Sequence, residues 1–153
     1  TGGAKGPACP VHPKRQDQMS VPRVVTCGII RHEDLILAAR RADNRLWELP
    51  GGKQREEETL PECLARELAE ELGVEVEVGR PFQVVKEGDL ELHSFFCRLV
   101  KGQPRPREHL ELRWLTPRRF AQLDLCGPDR ELAEALQGLQ NPAVTKESGG
   151  GPP

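Results

Sequence analysis

Long apolar runs are missing from this sequence, and so is any strong excess of one charge. No run approaches the ~20 apolar residues that a membrane-spanning helix needs, and no signal-peptide core is present. The net charge is −2, which provides no basic surface of the kind that binds long nucleic acid. These absences argue against a membrane protein and against a DNA or RNA polymer as the partner.

Closely paired cysteines are missing as well. The cysteines are odd in number and widely separated, without the C-x2-C pair of a structural zinc site: Cys9, Cys27, Cys63, Cys97 and Cys126. Most of them lie inside apolar runs, where buried thiols are expected. The pattern predicts reduced cysteines in a cytoplasmic protein and argues against zinc.

Several other signatures are absent: an internal repeat, a P-loop, a Rossmann glycine pattern and a Ser-His-Asp arrangement. What is present is a globular balance of 37% hydrophobic and 30% charged residues over 153 residues, enough for one domain. Residues 1–20 and 141–153 are rich in proline, glycine and charge. We expect a disordered N-terminal extension, either native or left over from expression, and a disordered tail. The folded domain is then predicted to span residues 21–140.

One segment, from Thr59 to Gly73, carries the signals of a complete helix. Thr59 followed by Glu62 is a capping box, and Pro61 lies in the first turn, where its missing N–H costs little. Gly73 provides the C-terminal stop. Leucines at every fourth position form an apolar stripe: Leu60, Leu64, Leu68 and Leu72. The pattern predicts an amphipathic helix.

Acidic side chains share another face of this helix. Glu67, Glu70 and Glu71 stand at i, i+3 and i+4, so their carboxylates lie within about 100° of one another. Like charges at this spacing repel, and Glu71 points to the edge of the leucine stripe. A hard divalent cation would offset the repulsion, because Mg²⁺ and Mn²⁺ prefer oxygen ligands. Arg66 is placed to pair with Glu70 and orient it. The alternative is a solvated acidic face.

The spacing of these residues resembles the Nudix box, G-x5-E-x7-R-E-U-x-E-E-x-G-U, in which U is aliphatic. Every specified position is matched, by Gly52, Glu58, Arg66, Glu67, Leu68, Glu70, Glu71, Gly73 and Val74. The resemblance implies an α/β fold, the Nudix α/β/α sandwich with a curved mixed β-sheet. It also implies Mg²⁺-dependent cleavage of a nucleoside diphosphate linked to another group, with Mn²⁺ as a substitute ion. By the same resemblance, the metal ligands include Glu67, Glu70, Glu71 and the carbonyl of Gly51.

Strands and further helices are predicted on both sides of the box. Apolar and β-branched patterns predict strands over residues 23–31, 35–39, 74–78, 82–85, 90–100 and 110–115. A short helix is expected over residues 118–122 and a final amphipathic helix over residues 130–139. We expect the box helix on one side of the sheet and the final helix on the other.

The segment just before the box adds substrate contacts by resemblance. Trp47–Lys53 is similar to the WEFPGGK string of the MutT branch, with Leu49 in place of phenylalanine. We expect Leu49 and Lys53 to contact the substrate. The stretch 40–43 resembles the RRAAD-like stretch of MutT enzymes, which implies that Arg41 contacts a phosphate. The fork of an arginine suits phosphate oxygens, and a solvated arginine pair is the alternative.

Two acidic residues later in the chain complete the candidate site. Glu108 precedes Trp114 by six residues, which resembles the MutT and CTP pyrophosphohydrolase pattern. In that pattern the glutamate binds metal or activates the attacking water, and Glu111 is the competing candidate. Asp129 falls at the position of a base-reading residue in these enzymes. As an ionised, acceptor-only group it would favour a cytosine or the N1 and N2 edge of a guanine. The alternative is that Asp129 is only the N-cap of the last helix.

Together these resemblances imply an enzyme that hydrolyses (d)NTP to (d)NMP and pyrophosphate. The expected role is nucleotide-pool sanitising, with 8-oxo-dGTP or a plain or modified cytosine nucleotide as substrate. The expected catalytic residues are Arg66, Glu67, Glu70, Glu71 and Glu108. An ADP-ribose or nucleotide-sugar pyrophosphatase, an RNA-decapping enzyme and a catalytically silent nucleotide sensor are the alternatives. The partner is a small nucleotide, and the pattern favours no particular oligomeric state.

Overall fold

The order of the elements places the predicted helix between two groups of strands. A computed structural model of the chain describes residues 21–140. The elements in chain order are β1 (Arg23–His32), β2 (Leu35–Arg40), β3 (Trp47–Glu48), β4 (Gly51–Lys53), α1 (Leu60–Leu72), β5 (Glu75–Glu87), β6 (Leu90–Lys101), β7 (Glu111–Leu115), α2 (Pro117–Phe120) and α3 (Gly127–Gln140). The disorder expected for residues 1–20 and 141–153 concerns positions outside this description. Within residues 21–140, no helix has the length and apolar character needed to cross a membrane.

The strands form one mixed sheet in the described part of the chain. Its main path runs β3-β2-β1-β6-β5, while β4 pairs with β1 and β7 pairs with β2. β1 and β6 are parallel, with Thr26 opposite His93, and the other pairs are antiparallel. The predicted mixed sheet is confirmed. Since β1 pairs with β2, β4 and β6, it connects all parts of the sheet.

Side chains that alternate along β1 separate two hydrophobic cores. Ile30 belongs to the core on the α1 side, where it is grouped with Leu64. Ile29 belongs to the core on the α3 side, where it is grouped with Leu132. Successive residues of a strand point to opposite faces, so helices cover both faces of the sheet. The predicted α/β/α sandwich is confirmed.

Helix α1 forms as its local signals predict. Thr59 Oγ1 accepts a hydrogen bond from Glu62 N at 3.2 Å, and Glu62 Oε1 accepts one from Thr59 N at 3.0 Å. Gly73 ends the helix in the left-handed region, with φ of 72°. The buried residues of the helix are Cys63, Leu64, Leu68, Glu71 and Leu72. A carboxylate is therefore buried beside the leucine stripe, at the edge where the helical spacing places it.

Strand β5 is longer than the sequence predicts. The pattern predicts two short strands over residues 74–78 and 82–85, whereas β5 continues from Glu75 to Glu87. Its register against β6 shifts between Val78 and Pro81, and again between Pro81 and Val84. Because proline has no N–H to donate to the ladder, the strand accommodates it as an irregularity and then resumes pairing.

The cysteines that the structure describes are buried thiols: Cys27, Cys63, Cys97 and Cys126. Burial raises the pKa of the Cys97 thiol to about 12. The predicted burial is confirmed for these residues, and Cys9 lies outside the description.

Candidate active site

A cavity of about 840 Å³ brings most of the predicted residues together. It lies between β4, the second half of α1, the loop after β2 and the start of α3. The predicted residues that line it are Arg41, Leu49, Gly51, Lys53, Glu67, Glu71, Glu108 and Asp129. Arg66, Glu70 and Glu111 do not line it.

Two glycines of β4 allow the sheet and α1 to approach each other. A Cβ at Gly51 would lie 2.0 Å from Thr26 O on β1, so a side chain cannot fit at this point of the pairing. A Cβ at Gly52 would lie 2.2 Å from Glu67 Cδ. Neither β3 nor β4 is predicted by the sequence. The pairing of β4 with β1 places the backbone of the glycine pair against the acidic face of α1.

The three carboxylates of α1 range from buried to exposed. Glu71 is only 8% exposed, and Glu67 lies against Gly52. The Glu70 side chain is 47% exposed and pairs with Arg66 Nη1 at 3.4 Å. The predicted acidic face is therefore present, with Glu67 and Glu71 directed to the cavity and Glu70 outside its lining.

Glu71 has a buried oxygen that is fit for a cation. Its Oε1 atom has no hydrogen-bond partner among the described residues. Burial, with added repulsion from Glu67, Glu48 and Glu108, raises the pKa of Glu71 to about 9. At neutral pH its carboxyl therefore keeps a proton and hydrogen-bonds with Glu67. A divalent cation would satisfy the unpartnered oxygen and remove the repulsion, so this donor set fits a hard metal ion.

Arg66 holds the acidic groups in position. It donates to Glu58 Oε1 at 3.0 Å, to Glu67 Oε2 at 2.9 Å and to Glu70 Oε1 at 3.4 Å. The predicted contact with Glu70 is present and is longer than the other two. The pKa of Glu58 is lowered to about 2, mainly because its carboxylate accepts hydrogen bonds from Arg66. Glu58 thus remains an anion that fixes the guanidinium, and the guanidinium in turn orients Glu67.

Glu108 and Glu111 lie in different surroundings. Glu108 lines the cavity, and its charge contributes to the raised pKa of Glu71. Glu111 accepts hydrogen bonds from Arg40 Nη1 at 3.5 Å and from Arg113 Nε at 2.9 Å. This placement favours Glu108 over Glu111 for any role in the cavity.

Two of the predicted substrate-binding residues are positively charged side chains that line the cavity, Arg41 and Lys53. Arg41 donates to the two oxygens of Asp43 at 2.9 and 2.7 Å, and to Glu48 Oε1 at 3.3 Å. The hydrogen bond with Asp43 is the main cause that raises the pKa of Arg41 further, so the guanidinium stays charged. Lys53, at the end of β4, is exposed and lines the same cavity.

The structure places Asp129 in the wall of the cavity and not at the N-cap of the last helix. α3 begins at Gly127, so Asp129 lies inside the first turn and the N-cap alternative is wrong. Its Oδ2 accepts a hydrogen bond from Leu49 N at 2.8 Å, and the residue is 5% exposed. Burial and the charge of Glu48 raise the pKa of Asp129 well above its usual value, which favours the protonated form over the ionised form that the sequence analysis assumes. In the protonated form the carboxyl has an O–H donor as well as acceptors.

Glu48 and His109 are cavity residues that the sequence analysis missed. Glu48 Oε2 lies 3.0 Å from His109 Nε2. The His109 side chain is 6% exposed, and its Nδ1 has no partner among the described residues. Each is a chain neighbour of a residue that the motifs select, Leu49 or Glu108. Glu48 also lies within the Trp47–Lys53 string, whereas for His109 the adjacency to Glu108 is the signal that the sequence offers.

A second group of potential metal ligands lies at the start of α3. Three potential ligand atoms lie within 4.8 Å of one another there, one each from Glu48, Cys126 and Asp129. The two carboxyl groups already accept hydrogen bonds, from Arg41 and from Leu49. Because Glu71 has an oxygen without a partner, the acidic face of α1 is the better site for a hard cation.

Comparison with known proteins identifies the family. Residues 20–136 match the NUDIX domain. The chain is 37% identical over 129 residues to "Putative 8-oxo-dGTP diphosphatase 2" of Mycobacterium tuberculosis, which covers 75% of this chain and 90% of that protein. It is 33% identical over 129 residues to CTP pyrophosphohydrolase of Escherichia coli, and the match covers 80% of this chain and 96% of that protein. The solution structure of the E. coli ORF135 protein matches with a TM-score of 0.69 and 32% identity, covering 80% of this chain and 95% of that one. This chain belongs to the Nudix hydrolase family.

Proposed function

We propose that this chain is a Mg²⁺-dependent nucleoside triphosphate pyrophosphohydrolase, which releases a nucleoside monophosphate and pyrophosphate. One observation carries the proposal: the unpartnered, buried oxygen of Glu71 lies beside Glu67 at a cavity of about 840 Å³. The same cavity contains Arg41 and the buried carboxyl of Asp129. The cavity therefore combines carboxylates that can bind a hard metal ion, the positively charged Arg41 that can bind a phosphate, and the polar Asp129 that can bind a base.

The metal ligands in this proposal are Glu67, Glu70, Glu71 and the carbonyl of Gly51, with Glu108 as a further ligand or as the base. Mg²⁺ is the expected ion and Mn²⁺ the substitute, since both prefer oxygen ligands. When bound, the ion shields phosphate charge and lowers the pKa of water. Arg66 keeps Glu67 oriented through the 2.9 Å contact.

The remaining steps belong to other side chains of the cavity. Glu108 accepts a proton from the attacking water, because its carboxylate lies at the cavity near Glu71. Water adds to the phosphorus on one side of the α–β bridge, a P–O bond of that bridge breaks, and a nucleoside monophosphate and pyrophosphate are released. Arg41 binds a phosphate oxygen with its permanently charged guanidinium. Lys53 adds a second positive charge, and Leu49 an apolar contact to the substrate.

Asp129 recognises the base in this proposal. A neutral carboxyl presents an O–H donor beside an acceptor. On the Watson–Crick edge, cytosine has its N4 amino donor next to the N3 acceptor, and 8-oxoguanine has its N1–H donor next to the O6 acceptor, so each base offers a pair complementary to it. The names of two relatives, an 8-oxo-dGTP diphosphatase and a CTP pyrophosphohydrolase, support the same two bases. We therefore propose 8-oxo-dGTP or a plain or modified cytosine nucleotide as substrate, and nucleotide-pool sanitising as the role.

We also place the enzyme in the cytoplasm. Cys27, Cys63 and Cys97 are buried thiols. Thiols persist in a reducing compartment, where nucleotide triphosphates are also found.

The test is a substrate panel with Mg²⁺: the standard NTPs and dNTPs, 8-oxo-dGTP, 5-methyl-dCTP and ADP-ribose. We expect equal amounts of monophosphate and pyrophosphate from a triphosphate. Glu67→Gln should abolish turnover, whereas Glu111→Gln, which removes a carboxylate outside the cavity lining, should retain it. Turnover of ADP-ribose alone would refute the triphosphate assignment. Tight nucleotide binding without any turnover would indicate a sensor instead.

A further inference from the structure

The last turn of α1 is capped by a loop from another part of the chain. An α-helix leaves its last four carbonyl groups without partners inside the helix. At the end of α1, Ala69 O accepts a hydrogen bond from Gly73 N at 3.0 Å, whereas the carbonyls of Glu70, Glu71 and Leu72 have no partner inside the helix. The loop before β7 satisfies two of them with its backbone. Arg105 N donates to Leu72 O at 3.0 Å. Arg107 N donates to Glu71 O at 3.2 Å.

The side chain of Arg107 satisfies the third carbonyl, that of Glu70, and adds a second donor to Ala69 O. Its Nη1 donates to Ala69 O at 3.3 Å and to Glu70 O at 3.4 Å. The guanidinium also covers Gly73, where a Cβ would lie 3.1 Å from Arg107 Nη2. α1 has no basic residue of its own in the last turn. Arg107 therefore supplies the positive charge that stabilises the negative end of the helix dipole.

Glu108 follows Arg107 directly, and a second anchor comes immediately after it. His109 Nε2 lies 3.0 Å from Glu48 Oε2, which attaches the loop to β3. Glu108 is thus held between a residue bonded to α1 and a residue bonded to the sheet. The position of its carboxylate relative to Glu71 depends on these two anchors.

We propose that Arg107 is a positioning residue for hydrolysis, which docks its loop on α1 and thereby fixes Glu108 against the acidic face of that helix. The inference rests on the proposed function, in which Glu108 accepts the proton of the attacking water. Arg107 does not line the cavity, so it acts through Glu108 and touches no reacting atom. A displacement of about 1 Å costs roughly 10²-fold in rate, so a released loop slows hydrolysis while nucleotide binding is kept.

The first test compares three variants by steady-state kinetics. Arg107→Met keeps the aliphatic stem and removes the donors, and Arg107→Lys keeps the charge. Arg105→Met is the matched control: it removes a charge from the same loop, and the Arg105 side chain has no hydrogen bond or ion pair among the described residues. We expect kcat to fall about tenfold or more in Arg107→Met with KM within about twofold, partial recovery in Arg107→Lys, and near wild-type values in Arg105→Met. Equal kcat in Arg107→Met and Arg105→Met would overturn the inference.

A double-mutant cycle then separates positioning from general destabilisation. In a Glu108→Gln background, Arg107→Met should cost little further activity, because the group that Arg107 positions is already disabled. A loss that simply adds to that of Glu108→Gln would show that Arg107 acts elsewhere. All rates are measured well below the melting temperature of each variant.

Amide hydrogen exchange provides a readout that needs no turnover. The amides of residues 105 and 107 should exchange faster in Arg107→Met than in the wild type and in Arg105→Met, because the loop is released from α1. Unchanged exchange would overturn the docking role. If the wild type hydrolyses no nucleotide, the proposed function fails, and the exchange result still decides the docking. If the wild type hydrolyses triphosphates and Arg107→Met keeps full kcat, this inference alone fails.

Discussion

Without a divalent cation, the buried Glu71 should make the folded protein less stable as the pH rises, and Glu71→Gln should remove this dependence. Burial and neighbouring acids raise the pKa of Glu71 from 4.5 to about 9. Between these two values, the unfolded chain has lost the proton that the folded protein keeps. The unfolded state therefore binds fewer protons, and the free energy of unfolding decreases with pH.

The magnitude follows from the two pKa values. Inside this window, each pH unit costs about 1.36 kcal/mol for one group. From pH 4.5 to neutral pH, the contribution of Glu71 therefore reaches about 3 kcal/mol as an upper limit. Below pH 4.5 both states carry the proton, and the penalty vanishes. Glutamine resembles the protonated carboxyl, since it is neutral and has a donor for Glu67, so the variant escapes the penalty.

Urea denaturation in EDTA, from about pH 5 to about pH 8, measures the effect. The stability of the wild type relative to Glu71→Gln should fall by about 1 kcal/mol per pH unit. Excess Mg²⁺ should restore the wild type more than the variant, because the ion binds only the folded carboxylates. Glu70→Gln is the matched control, since Glu70 is 47% exposed on the same helix face and the variant should keep the wild-type slope. Parallel pH profiles of the wild type and Glu71→Gln in EDTA would refute the reasoning.

Three further predictions concern the cavity. Gly52→Ala should lower kcat about tenfold or more, because the new Cβ would lie 2.2 Å from Glu67 Cδ and must displace the carboxylate. Unchanged kcat at saturating Mg²⁺ would contradict this. Glu108→Gln should lower kcat about 10²-fold. Glu111→Gln should keep a kcat near that of the wild type, because the Glu111 carboxylate pairs with arginines of the sheet. Similar losses of kcat in the two variants would argue against Glu108 as the base. Asp129→Asn keeps a donor and an acceptor, whereas Asp129→Leu leaves the buried N–H of Leu49 unpaired. The KM for the nucleotide should therefore change less in Asp129→Asn than in Asp129→Leu. Steady-state kinetics with 8-oxo-dGTP and CTP measure both changes.

The box helix could be predicted to within a residue because its signals are local. The capping box joins Thr59 to Glu62, and Gly73 adopts the left-handed conformation that ends the helix. The burial of Glu71 could also be foreseen, since the helical period places it at the edge of the leucine stripe. Strand β5 could not, because its continuation past Pro81 depends on pairing with β6.

The remaining parts of the site are formed by residues far apart in the chain. The sequence indicates an N-cap or an ionised base-reading residue at Asp129. The hydrogen bond with Leu49, 80 positions earlier, instead places Asp129 in the interior. Arg107 reaches carbonyls 37 and 38 positions earlier. A single sequence contains no period or motif that reports such contacts, and the shifted pKa of Asp129 follows from the burial that they produce.

In the proposed enzyme, the hydrogen bond between Leu49 and Asp129 links the choice of base to the placement of the phosphates. Only Pro50 separates Leu49 from Gly51, and its carbonyl accepts a hydrogen bond from Gly28 N at 2.8 Å. Proline restricts this short backbone further, so a shift of Leu49 is passed on to the glycine pair. Changes in α3 that move Asp129 would therefore also disturb the acidic face of α1. New base preferences should arise most readily from substitutions that reshape the cavity wall and leave Asp129 in place.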